Sequence, residues 1–290
     1  MLNDVIPSRR RQRRVDAHGV QLSNANLPGR HWDEHHDELD WMIYSDLRSA
    51  GVECTYQPSG LFRHALPQHV RTQRGAVPDI QATVDLGLEG RWAGLRPTLL
   101  DTKTIQAGGC WYATRQDVPN GAVKWRARLV GRQAEAAAEK KDREQNGTPA
   151  GEVGPTLAAL RRFPPVQGLV WGAYGEASPA VEKLLVVCAK GMAERRWRAI
   201  GARSRAEAVG YFRAALRRRW GCAAAFGAVR VRVRRYPMVG MRRAEATRLA
   251  MQEAPHEGAI AFEADEGGAG AEREARDAPL DAWGPGRALA

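Results

Sequence analysis

Two stretches, VPDIQATVDL (Val77–Leu86) and PTLLDTKTIQ (Pro97–Gln106), decide how this chain is read. In the first, Ile80, Ala82, Val84 and Leu86 alternate with Asp79, Gln81, Thr83 and Asp85. That is the period of a strand with one buried face. In the second, Leu99, Asp101 and Lys103 fall on one face and Leu100, Thr102 and Thr104 on the other. Residues 87–96 between them contain Gly87, Gly90 and Gly94 and read as a hairpin loop. Pairing Leu86 with Pro97 sets Asp79 across from about Thr104, within a step or two of Asp101 and Lys103.

Upstream, the stripe Leu39, Met42, Ile43, Leu47 and Ala50 predicts a helix from about Trp32 to Ala50, ended by Gly51. Val52–Gln57 reads as a short strand stopped by Pro58, Ser59 and Gly60. Downstream, residues 107–121 read as a loop, Ala122–Gln145 as a long helix, and 146–165 as a second loop. Val166–Tyr174 is apolar throughout, as a strand buried on both faces is. Ser178 and Pro179 are expected to cap and open a helix running to about Arg196. Ser204 and Glu207 form a capping-box pattern at the head of another helix, with Val209, Phe212, Leu216 and Trp220 on one face. Val229, Val231 and Val233 alternate with Arg230, Arg232 and Arg234. This favours a strand with a basic face over a continued helix. The fold class expected is α/β, with a mixed central sheet and flanking helices. The expected divisions are a basic disordered arm (1–30), an α/β core (31–192), a basic C-terminal region (193–251) and an acidic disordered tail (252–290).

Charge narrows the function. The 290-residue chain carries a formal +11. From Gln252 onward nine acidic residues face three basic ones, so the tail is −6 and residues 1–251 carry +17. A body this basic suits a polyanionic partner. Arg9, Arg10, Arg11, Arg13 and Arg14 read as a nuclear-import signal, a phosphate clamp or a solvated tail. Four scattered cysteines make no C-x-x-C pair, which argues against a cysteine zinc site and for reduced thiols inside a cell. No apolar run reaches the roughly 18 residues of a bilayer span.

Asp79, Asp101 and Lys103 carry the chemistry. Mg²⁺ or Mn²⁺ takes hard oxygen ligands, so two carboxylates, with the Thr102 carbonyl as a further candidate, suffice to hold it beside a phosphodiester. A lysine next to such an ion can orient water or stabilise transition-state charge. Nucleic-acid phosphates are expected against Lys124, Arg126 and Arg128 on the long helix and against Arg213, Arg217 and Arg218 in the C-terminal region. His31, His35 and His36 read as polar decoration of the first helix rather than a zinc site. Trp111 and Tyr112 read as core residues, with base stacking as the alternative.

The order helix–strand–strand–strand–helix–strand, with Pro78-Asp79 and Asp101-Thr102-Lys103 on adjacent strands, resembles the PD-(D/E)XK phosphodiesterase superfamily, the restriction-endonuclease-like fold. The likeness covers roughly residues 32–190. It implies that Asp79 and Asp101 are metal ligands, that Lys103 is the catalytic lysine, and that DNA is preferred to RNA. Members of that superfamily often add an acid from the first helix. Glu38 is the expected match, Glu34 the second choice, Asp46 a further candidate, and Asp37 is expected to point away. Residues 100–185, through Asp101–Ile105 and Gly172–Ser178, also resemble uncharacterised proteins carried by transposable elements of unicellular eukaryotes. The functions in view are therefore a metal-dependent endonuclease acting on DNA, in the nucleus if the cell is eukaryotic, or a non-catalytic nucleic-acid-binding accessory protein with a decayed nuclease core. A third is an assembly protein that binds an acidic protein.

Overall fold

Helix α1 (His31–Ser49) buries the apolar stripe of its sequence: Leu39, Ile43 and Leu47 are at most 1% exposed. Burying each such side chain contributes about 1.5–3 kcal/mol. Acidic Asp33 and Glu34 occupy its first turn, where the helix dipole favours them. Gly51 ends it at φ +75. The Gly51 N–H donates to the Arg48 carbonyl and the Val52 N–H to the Leu47 carbonyl, both at 2.9 Å, which is the Schellman pattern.

In this computed structural model the described residues are 5–6, 13–14, 31–58, 60–66, 78–105, 112, 120–238 and 241–253. The chain divides into units 1–251 and 252–290. The tail, apart from 252–253, lies outside the described residues, as do Arg9–Arg11 and Trp111. Within the arm read as disordered, β1 (Val5–Ile6) pairs antiparallel with β2 (Arg13–Arg14).

The main sheet has the order β3-β4-β5-β6, made of Cys54–Tyr56, Ile80–Val84, Arg96–Thr104 and Gln167–Trp171. The first two junctions are antiparallel and the last is parallel. The coarse α/β reading with a mixed sheet holds. The hairpin register does not: Val84 faces Arg96 and Ile80 faces Leu100. Continued one step, this sets Asp79 opposite Asp101 rather than Thr104. Leu86 is 2% exposed and packs into the core instead of pairing, and a turn starts at Asp85, whose Oδ1 accepts the Gly87 N–H at 2.8 Å.

Helices cover both faces of the sheet. On one, Ile80, Ala82, Leu100 and Leu169 pack with α1, with α4 (Pro179–Arg196) and with α5 (Arg205–Arg235). On the other, Leu99 and Val166 pack with Val130 of α2 (Gly121–Asn146) and Leu157 of α3 (Pro155–Leu160). The close approach of α2 requires Gly168, since a Cβ there would lie 2.9 Å from the Ala127 Cα.

Three local expectations are corrected. The loop 146–165 contains α3, a helix of six residues, too short to hold itself without a cap from elsewhere. That cap is Asp142 of α2, whose two oxygens accept the Thr156 and Leu157 N–H groups at 2.8 and 2.9 Å. Ser178 makes no side-chain cap. Its hydroxyl accepts from Val170 N–H at 3.1 Å and donates to the Gly168 carbonyl at 2.8 Å, tying α4 to β6. Val229–Val233 is helix, not strand: α5 runs on through it for 31 residues. Its buried positions are Ala208, Phe212, Leu216, Trp220, Ala224, Gly227, Val231 and Arg235, spaced by three or four. Val231 is buried, whereas Val229 and Val233 are 49% and 65% exposed. Phe212, Leu216 and Trp220 join the core that α1 and the sheet form, so this part of the basic C-terminal region completes that core.

Candidate active site

Asp79 stands just before β4. Its carbonyl accepts the Gln57 N–H at 2.8 Å, which fixes its backbone beside β3. Its Oδ2 accepts the Thr102 N–H at 2.6 Å, which aims the carboxylate at the middle of the Asp101-Thr102-Lys103 triplet. Strand alternation turns the Thr102 side chain inward, to 1% exposure, and Asp101 and Lys103 to the opposite face. The Lys103 Nζ donates to Asp101 Oδ1 at 2.8 Å. Burial, and then the Asp79 carboxylate beside it, push the Asp101 carboxyl above its ordinary range, against the pull of Lys103. The structure therefore brings Asp79, Asp101, Thr102 and Lys103 to one point.

It also brings there His36, against the expectation of a polar helix decoration. His36 of α1 has its Nε2 3.3 Å from Asp79 Oδ2 and 3.0 Å from the Thr102 carbonyl oxygen. Its Nδ1 lies 3.0 Å from Oδ2 of Asp40, which is 0% exposed. Burial works against an imidazolium charge here, but the contacts with Asp40 and Asp79 outweigh it and push the His36 pKa up to about 11. Ligand atoms of His36, Asp40 and Asp79 lie within 4.8 Å of one another, so this group can hold a metal ion. A cavity of about 440 Å³ opens beside it, lined by Trp32, Asp33, His35, His36, Leu39, Thr102, Lys103 and Thr104. The signal in the sequence was His36-x₃-Asp40, one helical turn apart; a search for first-helix acids alone passes over it.

The first-helix acids lie elsewhere. Glu38 is 52% exposed and accepts from Arg230 of α5 at 2.9 Å, and Glu34 accepts from Arg234 at 2.7 Å. Both lie on the side of α1 that meets α5, so Glu38 does not enter the site. Asp46 is buried and accepts from Arg219 Nη1 and Trp220 Nε1, both at 2.7 Å; its role is to fasten α5 to α1. Asp37, read as pointing away, lies 3.7 Å from His36 Nδ1. His31 and His35 are buried at 4% exposure, and burial, above all, lowers the His35 pKa.

The six basic residues separate. Arg126 is partly buried, within the field of Asp101, and donates to Gln133 at 2.6 Å. Arg128 lines a cleft of about 340 Å³ with Arg91, Trp92, Arg132, Arg161 and Phe163. The Arg91 guanidinium stacks 4.4 Å from the Trp92 ring centre. Lys124 is half-buried on α2. Arg213 and Arg217 both reach Glu182 of α4, at 3.5 and 3.0 Å, and Arg218 is exposed on α5. The Tyr112 hydroxyl donates to Glu176 at 2.6 Å and accepts the Ala173 N–H at 2.8 Å, a packed position rather than an open stacking face. Cys54, Cys188 and Cys222 are free thiols. Among the described residues no helix is long and apolar enough to cross a membrane.

The chain matches no protein-family model, no curated protein and no solved structure.

Proposed function

We propose that this protein hydrolyses phosphodiesters of nucleic acid, DNA foremost, with a divalent cation at the Asp79–Asp101–Lys103 site, and that its core is of the PD-(D/E)XK kind. The observation that carries this reading is the meeting of two carboxylates and one ammonium at adjoining ends of two paired strands, beside an open cavity. The residues fit a cation: Asp101 is a half-buried carboxylate pressed by the neighbouring Asp79 charge, and a divalent ion relieves that repulsion. When bound, the ion acidifies a water and neutralises charge on the phosphate. Asp79 and Asp101 hold the ion, with the Thr102 carbonyl beside them. Lys103, anchored on Asp101, orients the attacking water and offsets the growing negative charge. Water adds to phosphorus, one P–O ester bond breaks, and a proton from the water ends on the leaving oxygen. The arginine-lined cleft around Arg128 supplies phosphate contacts away from the scissile bond.

A second reading, a nucleic-acid binder that no longer cuts, draws on one observation. The charged His36 ring already satisfies both Asp79 and the Thr102 carbonyl. Plasmid nicking separates the two. Cleavage that needs Mg²⁺ or Mn²⁺ and falls about 10²–10³-fold in Lys103→Ala, with DNA binding kept, supports hydrolysis. Binding without cleavage under any of these ions supports the second reading. Cleavage that survives both Asp101→Ala and Lys103→Ala rejects the site.

A further inference from the structure

The cleft of about 340 Å³ between the β4–β5 connection and α2 has a lining of two kinds. Trp92, Phe163 and Pro165 give it flat apolar walls, and Arg91, Arg128 and Arg132 give it positive charge. Its one carboxylate, Glu135, is held by Arg161 at 3.2 Å. Arg128 and Arg132 are exposed and, among the described residues, have no ion-pair partner. The Arg91 guanidinium on the Trp92 ring marks that ring as a surface for flat groups. Gly131 opens the floor. It stands inside α2, where a glycine weakens a helix. A Cβ there would meet the Val166 carbonyl oxygen at an ordinary 3.5 Å, so packing does not require a glycine. Its effect is to leave the cleft deep enough for a ring.

We infer that this cleft holds one unpaired nucleotide of a DNA strand, its base against Trp92 and its phosphates on Arg128 and Arg132, so that the substrate carries a single-stranded segment beside the cut phosphodiester. A base inside a duplex has both faces stacked and offers none to Trp92. Extruding it costs unstacking, least where the base is already unpaired. Stacking on an aromatic ring accepts any base, so the cleft reads strand structure and not sequence. Its place relative to the cutting site fits one continuous strand. Trp92 leads into Arg96, the first residue of β5, and Asp101 is five residues further on. At about 3.3 Å per residue that is about 17 Å, the rise of about five nucleotides of one strand. Lys124, Arg128 and Arg132 follow each other at intervals of four along one face of α2, a basic row about 12 Å long. Arg126, near the start of that row, is within the field of Asp101, so the row leads from the cutting site to the cleft. The inference rests on the cleavage reading and specifies its substrate, but the binding it predicts needs no cation.

The test is fluorescence anisotropy of the full chain in EDTA, with a blunt DNA duplex and with the same duplex carrying a 3′ or a 5′ single-stranded tail of about eight nucleotides, enough to pass the cleft. Stacking one base changes affinity by at least about fivefold, so one of the tailed duplexes should bind at least that much more tightly than the blunt one. Trp92→Ala should lower this ratio of affinities at least about fivefold. Gly131→Gln keeps every wall, fills the floor with a helix-forming residue, and should lower the ratio likewise. A measurement on the unaltered chain guards against misfolded variants: 2-aminopurine moved along the tail should be quenched on binding at one position, about five nucleotides from the junction. Equal binding of tailed and blunt duplexes overturns the inference. So does a preference that survives Trp92→Ala, since the added charge of the tail would then explain it. Failure of the cleavage reading has a different signature: the tail preference and its loss in Trp92→Ala are both seen, yet no DNA is cut with Mg²⁺ or Mn²⁺.

Discussion

Asp46→Ala should loosen the attachment of α5 to α1, the helix that carries His36. Asp46 is 2% exposed and accepts two 2.7 Å hydrogen bonds, one from the Arg219 guanidinium and one from the fully buried Trp220 indole. Truncation leaves the Trp220 N–H without an acceptor inside the core, which costs about 1–3 kcal/mol. Arg219 is 35% exposed and turns to water, so its share is at most about 1 kcal/mol. The sum is about 1–4 kcal/mol, or roughly 2–16 °C in Tm for a unit of this size. Asp46→Asn gives the sharper comparison. Burial pushes this carboxyl up against the opposing pull of Arg219 and Trp220, so removing the charge is cheap. The amide oxygen still accepts from the indole, and the expected loss is about 1 kcal/mol. Thermal and urea unfolding followed by circular dichroism read both variants. A loss below about 1 kcal/mol in Asp46→Ala, or equal losses in the two, would refute the argument from an orphaned indole donor.

Three other outcomes follow from the same structure. Asp142 is buried, and hydrogen bonds from the Leu157 and Thr156 backbone and from Asn146 lower its pKa despite burial. Its stabilising contribution is therefore present above the ordinary carboxylate pKa and lost as pH falls through the lower folded value; Asp142→Ala should cost about 2 kcal/mol at neutral pH and flatten the acid limb of a stability–pH curve. Val231→Asp should destabilise by about 3 kcal/mol or more and Val233→Asp by less than about 0.5, read by urea unfolding; equal effects would restore the strand reading, in which both share a face. Removing Arg128 and Arg132 together should lower the slope of log binding against log salt by about 1.4–1.8, two phosphate contacts' worth, in oligonucleotide anisotropy. Removing Arg213 and Arg217, already engaged by Glu182, should lower it less.

Period-2 alternation made β4 and β5 legible, and with them the meeting of Asp79 with Asp101 and Lys103, because strand geometry alone sends residues two apart to one face. The register was harder, since whether Leu86 pairs or turns into the core depends on α4 and α5, which lie far along the chain. Helix α3 was invisible for a similar reason: its cap, Asp142, comes from another helix. Alternating Val and Arg over 229–234 satisfies a strand and also the outer face of a long helix, and only packing against α1 decides. Glu38 has the charge of a metal ligand but lies toward α5. A histidine on a polar helix face has no periodic mark, and the place of His36 in the site comes from Asp40 behind it and Asp79 across from it.

Anomalous diffraction at the manganese edge, from crystals grown with Mn²⁺, tests the central claim most directly. The account predicts an ion about 2–2.5 Å from oxygens of Asp79 and Asp101 and from the Thr102 carbonyl, with the Lys103 amine close by but not ligating. Full occupancy elsewhere on the chain, with Asp79 bare and its carboxylate turned from Asp101 and Lys103, would contradict it.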